Sequence, residues 1–112
     1  MVDIKRINEG DYELLRVVGE VDASSSIELD SAINEAIGSG GKKFLADCSN
    51  LDYISSAGLG VFMSYIEEFK KRNITFVIYG LNEKVQNVFE ILGLDQLLVI
   101  HSTKEEGQTA LK

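Results

Sequence analysis

Three short segments of this chain are apolar almost throughout, and they constrain the fold more than any other feature. They are residues 14–18, 44–48 and 74–79, which are rich in leucine, β-branched and aromatic residues. Strands at the centre of a buried sheet read as continuous apolar runs, whereas half-exposed strands alternate apolar and polar residues. Arg16 is the one charged residue within the first run. We therefore expect these segments to be central strands of one sheet.

Helical patterns lie between these strands. Apolar residues recur at spacings of three and four in two stretches, Leu29, Ala32, Ile33, Ala36, Ile37 and Leu59, Phe62, Met63, Ile66, Phe69. Ser25 and Glu28 fit a capping box at the start of the first helix, and glycines at 38, 40 and 41 predict its end. A strand, a helix and a second strand in succession predict a parallel strand pair joined by a right-handed crossover.

The ends of the chain complete the pattern. Residues 2–7 show a weak strand pattern, and the turn-prone stretch 8–11 predicts a hairpin with the strand that ends near Val21. Residues 82–92 predict a third helix capped by Asn82, residues 97–100 a short last strand, and the polar residues 101–112 a frayed tail or one short helix. The expected fold is therefore α/β, β-β-α-β-α-β-α-β, with one mostly parallel sheet, an antiparallel N-terminal edge strand and packed helices. Residues 1–112 are expected to form a single domain.

Composition narrows the function. The net charge is −7 at pH 7 and the basic residues are scattered, so no nucleic-acid partner is expected. The single cysteine, Cys48, lies in an apolar run and is expected to be a buried hydrophobe, so neither a metal site nor a cofactor is predicted. No stretch approaches the roughly 18 apolar residues of a membrane span, and the N-terminus lacks a signal-type apolar region. We therefore expect a cytoplasmic location.

A polar turn of small residues precedes the second helix. Ser55 or Ser56 falls at the helix N-cap or in its first turn, where backbone N–H groups are unpaired and the helix dipole favours negative charge. Gly58 and Gly60 would let a partner protein or a phosphate approach the backbone. Parallel strands end at the same edge of a sheet, so Asp22 and residues 49–52 are expected beside this turn.

The motifs GEVD at 19–22, DCSNLDYISSAGLG at 47–60 and FEILGL at 89–94 carry a family resemblance in their order and spacing. Together they resemble a STAS domain of the anti-sigma-factor antagonist type, over nearly the whole chain. The resemblance implies a non-enzymatic partner-switching protein that is phosphorylated by an anti-sigma-factor serine kinase and dephosphorylated by a serine phosphatase. Ser56 matches the family's phosphorylated serine, and the unmodified form would bind the kinase and so free a sigma factor.

Two positions depart from the family pattern. Ser55 stands where the family commonly has Asp. This difference puts recognition by the kinase in doubt, and it supplies Ser55 as an alternative acceptor. Ala57 stands where Ser or Thr is common.

The expected partner surface combines the turn after the strand ending near Val21 with the loop before the second helix. Its members are Val21, Asp22, Ala23, Ser24, Asp52, Ser55, Ser56, Ala57, Gly58, Leu59 and Gly60.

Other functions remain alternatives. A STAS domain that never switches could be a scaffold subunit of a signalling or lipid-transport complex, and a small-ligand or nucleotide-binding STAS module would use the same edge. The two serines could also merely cap the helix. An enzyme is not expected, because a nucleophile elbow needs Gly where this chain has Ile54, and the only histidine, His101, follows the last predicted strand.

Overall fold

The computed structural model describes residues 1–112 as one five-stranded sheet and four α-helices. The strands are β1 (Val2–Asn8), β2 (Glu13–Val21), β3 (Lys43–Ile54), β4 (Thr75–Tyr79) and β5 (Val99–His101). The helices are α1 (Ser26–Gly38), α2 (Ser56–Lys71), α3 (Glu83–Ile91) and α4 (Lys104–Ala110). The strand order is β1-β2-β3-β4-β5, with β1 antiparallel to β2 and every other pair parallel. The predicted fold class is confirmed.

The helices divide unequally between the two faces of the sheet. Each parallel strand lies next to the one before it, so right-handed crossovers place α1, α2 and α3 on one face, where 24 buried residues form the main core. Only α4 covers the other face, where Leu111 packs with Leu14, Leu45 and Val77. A Cβ on Gly107 of α4 would lie 2.7 Å from Leu45 Cδ1, so this helix packs closely on the sheet.

Strand β3 is longer than the sequence predicts. The expected strand ended at Cys48, and a polar turn was expected to lead from there into the second helix, whereas β3 continues to Ile54. Two register shifts against β2 explain the error, because each inserts an extra residue into β3 and interrupts the apolar alternation. Asp52 is the extra residue at the second shift, since Leu51 pairs with Gly19 and Tyr53 with Glu20.

Local signals at the helix ends were mostly correct. Asn82 caps α3 by accepting from the Val85 N–H at 2.8 Å, and Gly93 adopts the left-handed conformation with φ 73°. The Ser25–Glu28 capping box is wrong, because the Ser25 side chain makes no cap hydrogen bond to the helix. The last strand begins two residues later than predicted, at Val99, and the polar tail forms the short helix α4.

Candidate functional site

Helix α2 starts one residue after β3 ends. The linking residue, Ser55, has an extended backbone (φ −84°, ψ 171°), and its N–H donates to the Val21 carbonyl at 2.8 Å. Its hydroxyl accepts from the Gly58 N–H at 3.2 Å, so Ser55 is the N-cap of α2. The N–H and the hydroxyl of Ser55 thus attach the helix to the end of the β2–β3 ladder.

Ser56 is the first residue of α2 and differs from Ser55 in its surroundings. Its side chain is exposed, as is that of Ala57, whereas Ser55 is half-buried. No hydrogen bond within the chain involves the Ser56 hydroxyl, so this group faces solvent at the helix N-terminus. The unpaired N–H groups and dipole of that terminus favour a negative charge.

Close packing fixes the position of this helix terminus. Gly58 and Leu59 are both buried. A Cβ on Gly58 would lie 2.7 Å from Ile54 Cγ1 and 2.7 Å from Val21 Cγ1. Both separations are too short for carbon atoms, so the helix or the strand ends would have to move. The absence of a side chain at Gly58 therefore lets α2 begin directly against the ends of β2 and β3.

A tight turn follows β2 at the same edge of the sheet. Asp22 Oδ1 accepts from the Ser25 N–H at 2.8 Å, from the Ser25 hydroxyl at 2.8 Å and from the Ser24 hydroxyl at 2.9 Å. These bonds to the backbone and hydroxyl of Ser25 and to Ser24 hold the pKa of Asp22 well below its usual range. Asp22 thus organises the start of α1, in place of the capping box predicted from Ser25 and Glu28.

The structure brings the two predicted segments of the site together. Val21 pairs with Ile54 in the β2–β3 ladder, so the turn that contains Ala23 and Ser24 lies beside the start of α2. Asp52 is exposed on the β3 bulge.

Met63, which the sequence assigned to the apolar face of α2, is instead 49% exposed. It lies about 100° around the helix from the buried Phe62, a difference that finer analysis of the helical angle could have detected.

The carboxylates of Asp22 and of the buried Asp47 make the stability of the fold depend on pH in the acid range. Burial tends to raise the pKa of Asp47, but hydrogen bonds from the Ser49 hydroxyl and N–H, together with Tyr79 and Arg16, produce a net lowering. The folded state therefore holds fewer protons on Asp22 and Asp47 than the unfolded chain does. The stability they contribute is fully present above the unfolded pKa of about 4 and is lost as pH falls towards the lower folded values.

We expect the urea midpoint of unfolding to fall as the pH drops below about 4. The matched variant Asp22→Asn removes one of the two contributing carboxylates, so it should be less stable at pH 7 and show a flatter acid profile. Chemical unfolding followed by circular dichroism at several pH values measures both effects. An equally steep profile in the variant would show that Asp22 does not contribute.

The histidine and the cysteine of the chain both lie apart from the two serines. His101 lies on β5, two strands from β3, where its Nδ1 is 4.0 Å from Glu106 Oε1 in α4. Cys48 is fully buried, and burial raises the pKa of its thiol to about 12, so very little of it is the nucleophilic thiolate at neutral pH. No group of three or more His, Cys, Asp or Glu side chains could hold a metal ion. None of the four helices has the length and apolar character needed to cross a membrane.

Known proteins are similar to this chain in both sequence and fold. A curated relative from Listeria monocytogenes, called anti-sigma-B factor antagonist, is 28% identical over 105 residues, which cover 94% of this chain and 91% of that one. The crystal structure of an anti-sigma factor antagonist from Mycobacterium paratuberculosis matches with a TM-score of 0.90 at 19% identity, covering 99% of this chain and 94% of the other.

The Bacillus cell fate determinant SpoIIAA in its phosphorylated form matches with a TM-score of 0.71 at 18% identity, over 100% of both chains. At these identities the two structural matches show a common fold. The family model described as STAS domain matches residues 4–107. This chain therefore belongs to the STAS domain family, as its motifs predicted.

Proposed function

We propose that this chain is an anti-sigma-factor antagonist that works as a phosphorylation-dependent partner switch. Unphosphorylated on Ser56, it binds an anti-sigma-factor serine kinase and thereby releases a sigma factor, and a serine phosphatase restores this form. The observation that carries the proposal is the exposed, unbonded Ser56 hydroxyl at the start of α2. The anti-sigma-B factor antagonists among its relatives, which match over more than nine-tenths of the chain, support this role. Such a switch would operate in the cytoplasm.

The choice between the two serines rests on their hydrogen bonds. Phosphorylation of Ser55 would remove a half-buried hydroxyl from its cap bond to the Gly58 N–H, and it would place the phosphate against the packed end of β2. Phosphorylation of Ser56 breaks no bond within the chain. The added phosphate would also lie at the helix end where negative charge is favoured. A kinase can therefore reach and modify Ser56 without disturbing the fold.

The first prediction is that phosphate appears on Ser56 when the chain is incubated with ATP and the anti-sigma-factor serine kinase of the same organism. Mass spectrometry of proteolytic fragments locates the modified residue. Ser56→Ala should reduce incorporation to background. The matched variant Ser55→Ala should retain incorporation, although losing the cap costs about 1 kcal/mol of stability.

Two results would contradict this assignment. Phosphate found on Ser55, and persisting in Ser56→Ala, would make Ser55 the acceptor. A chain that binds the kinase but accepts no phosphate on either residue would be a scaffold that does not switch.

The proposed partner surface is the one formed by the turn after β2 and the start of α2. Val21, Gly58 and Leu59 are buried and would support it from beneath, while the other predicted members lie at or near the surface. Hydrogen exchange in the kinase complex would locate the contact. Protection of residues 21–25 and 52–60 supports the proposal, and protection confined to the opposite sheet edge, near residues 8–11 and Asn73, contradicts it.

A further inference from the structure

Two large apolar side chains are exposed near Ser56. Tyr53, three residues before Ser56 at the end of β3, is 51% exposed, and Met63 on α2 is 49% exposed. Single exposed apolar residues are common on proteins and need no explanation. These two are informative because of where they lie, on either side of the serine that the proposed function makes central.

The exposed face of α2 connects Ser56 to Met63. Ser56, Gly60 and Met63 are spaced by four and three residues, so they form one stripe along the helix. A Cβ on Gly60 would have no atom within 4 Å, so this position is open to solvent. The stripe thus has a dent at Gly60 between the serine hydroxyl and the methionine thioether, into which a partner side chain could insert.

The side chains around this stripe carry negative charge, and the N-terminal amine of Met1 lies 3.9 Å from one of them, at Asp22 Oδ2. Glu20 pairs with Tyr53 in the β2–β3 ladder and is exposed, as is Asp52, and Asp22 lies in the adjoining turn. No lysine or arginine occurs in residues 17–25 or 51–69. The basic residues of α2 are in its last turn, at Lys70 and Lys71, at the far end of the helix. The sheet edge that carries Ser56 therefore has one exposed apolar side chain on β3, one on α2, and an acidic margin formed by Glu20, Asp22 and Asp52.

We propose that Tyr53 and Met63 are the apolar anchors of the partner interface, and that the partner presents an apolar recess framed by lysine or arginine side chains. The proposal rests on the proposed function and specifies the chemistry of that contact. Aromatic and methionine side chains are enriched at the centres of interfaces, and charged margins act mainly on association rate and specificity. A phosphate on Ser56 would enter the apolar part of this contact, where it would lose its water.

The test measures calorimetric affinity for the anti-sigma-factor serine kinase of the same organism. Tyr53→Ser and Met63→Gln should each weaken binding by about tenfold or more, as truncation of an anchor residue does. Ile91→Ser and Leu92→Gln are matched controls, because those residues are 81% and 52% exposed and follow one another at the end of α3, away from Ser56. The controls should bind like wild type. Added salt should weaken the wild-type complex, because the margin is acidic.

The outcomes separate this inference from the proposed function. Normal binding by the Tyr53 and Met63 variants, with binding lost in Ser56→Asp, would overturn the anchors and leave the switch intact. Weak binding by the anchor variants, with Ser56→Asp binding normally, would support the anchors and overturn the switch. A wild-type chain that does not bind the kinase would overturn both. Thermal unfolding of each variant must match wild type, since all four substituted side chains are about half exposed or more.

Discussion

Phosphorylation of Ser56 is expected to weaken kinase binding by at least about a hundredfold while leaving the fold nearly unchanged. The reason is that one added charge meets two different environments. In the free chain, the phosphate of about −1.5 to −2 charges is solvated and lies at the N-terminus of α2. A negative charge there stabilises a helix by roughly 0.3–1 kcal/mol, so the domain should not be destabilised.

In the complex the same charge is costly. The proposed contact places Ser56 between Tyr53 and Met63, so a phosphate would face the partner's apolar recess and not the lysine or arginine side chains that frame it. This part of the chain offers no lysine or arginine to pair with the phosphate either. Burying an unpaired charge costs several kcal/mol, and each 1.4 kcal/mol corresponds to a tenfold loss of affinity. The complex should therefore dissociate without any refolding of the chain.

Calorimetry with the kinase and thermal unfolding of the same samples test this mechanism together. The samples are wild type, phosphorylated protein, Ser56→Asp and Ser56→Ala, and the last of these keeps the site uncharged. Ser56→Ala should bind like wild type, and all four should unfold at similar temperatures. The proposal that the buried phosphate charge drives dissociation would be refuted if phosphorylated protein bound as tightly as wild type. It would also be refuted if the phosphorylated protein lost binding only because its melting temperature collapsed.

The sequence predicted those features of the fold that depend on neighbouring residues. The apolar runs identified the central strands, and Asn82, Gly93 and Ser55 correctly marked helix ends, because caps and left-handed glycines are local structures. The alternation of strands and helices then limited the topology to parallel neighbours with right-handed crossovers. The shared edge of Asp22 and the two serines follows from that topology.

The errors involve contacts between distant residues. The continuation of β3 to Ile54 depends on pairing with β2 across two bulges, which no pattern within residues 49–54 reveals. The predicted Ser25 cap failed because Asp22 accepts hydrogen bonds from both the N–H and the hydroxyl of Ser25. For the tail, the sequence left a frayed segment and one short helix open, and the choice depends on the packing of Gly107 and Leu111 on the sheet. The prediction of a single domain over residues 1–112 agrees with this packing but stays a prediction.

Gly58→Ala is expected to destabilise the chain by about 1–3 kcal/mol, the usual cost of an extra methyl group in a packed site. The new Cβ would lie 2.7 Å from a methylene of Ile54 and 2.7 Å from a methyl of Val21, so one element must move. Both neighbours are β-branched and stiff at χ1, so they cannot rotate away at low cost. Movement of α2 would also strain the cap bond from the Gly58 N–H to the Ser55 hydroxyl.

Gly60→Ala is the matched control, because it makes the same chemical change two residues later on the same helix. Its Cβ meets no atom within 4 Å, so only the backbone effect remains, and alanine in a helix is favoured over glycine by roughly 0.5–1 kcal/mol. Urea unfolding should therefore show opposite shifts of the midpoint for the two variants. Equal shifts would mean that helix propensity alone decides both, and that close packing against Val21 and Ile54 does not fix the position of the serine.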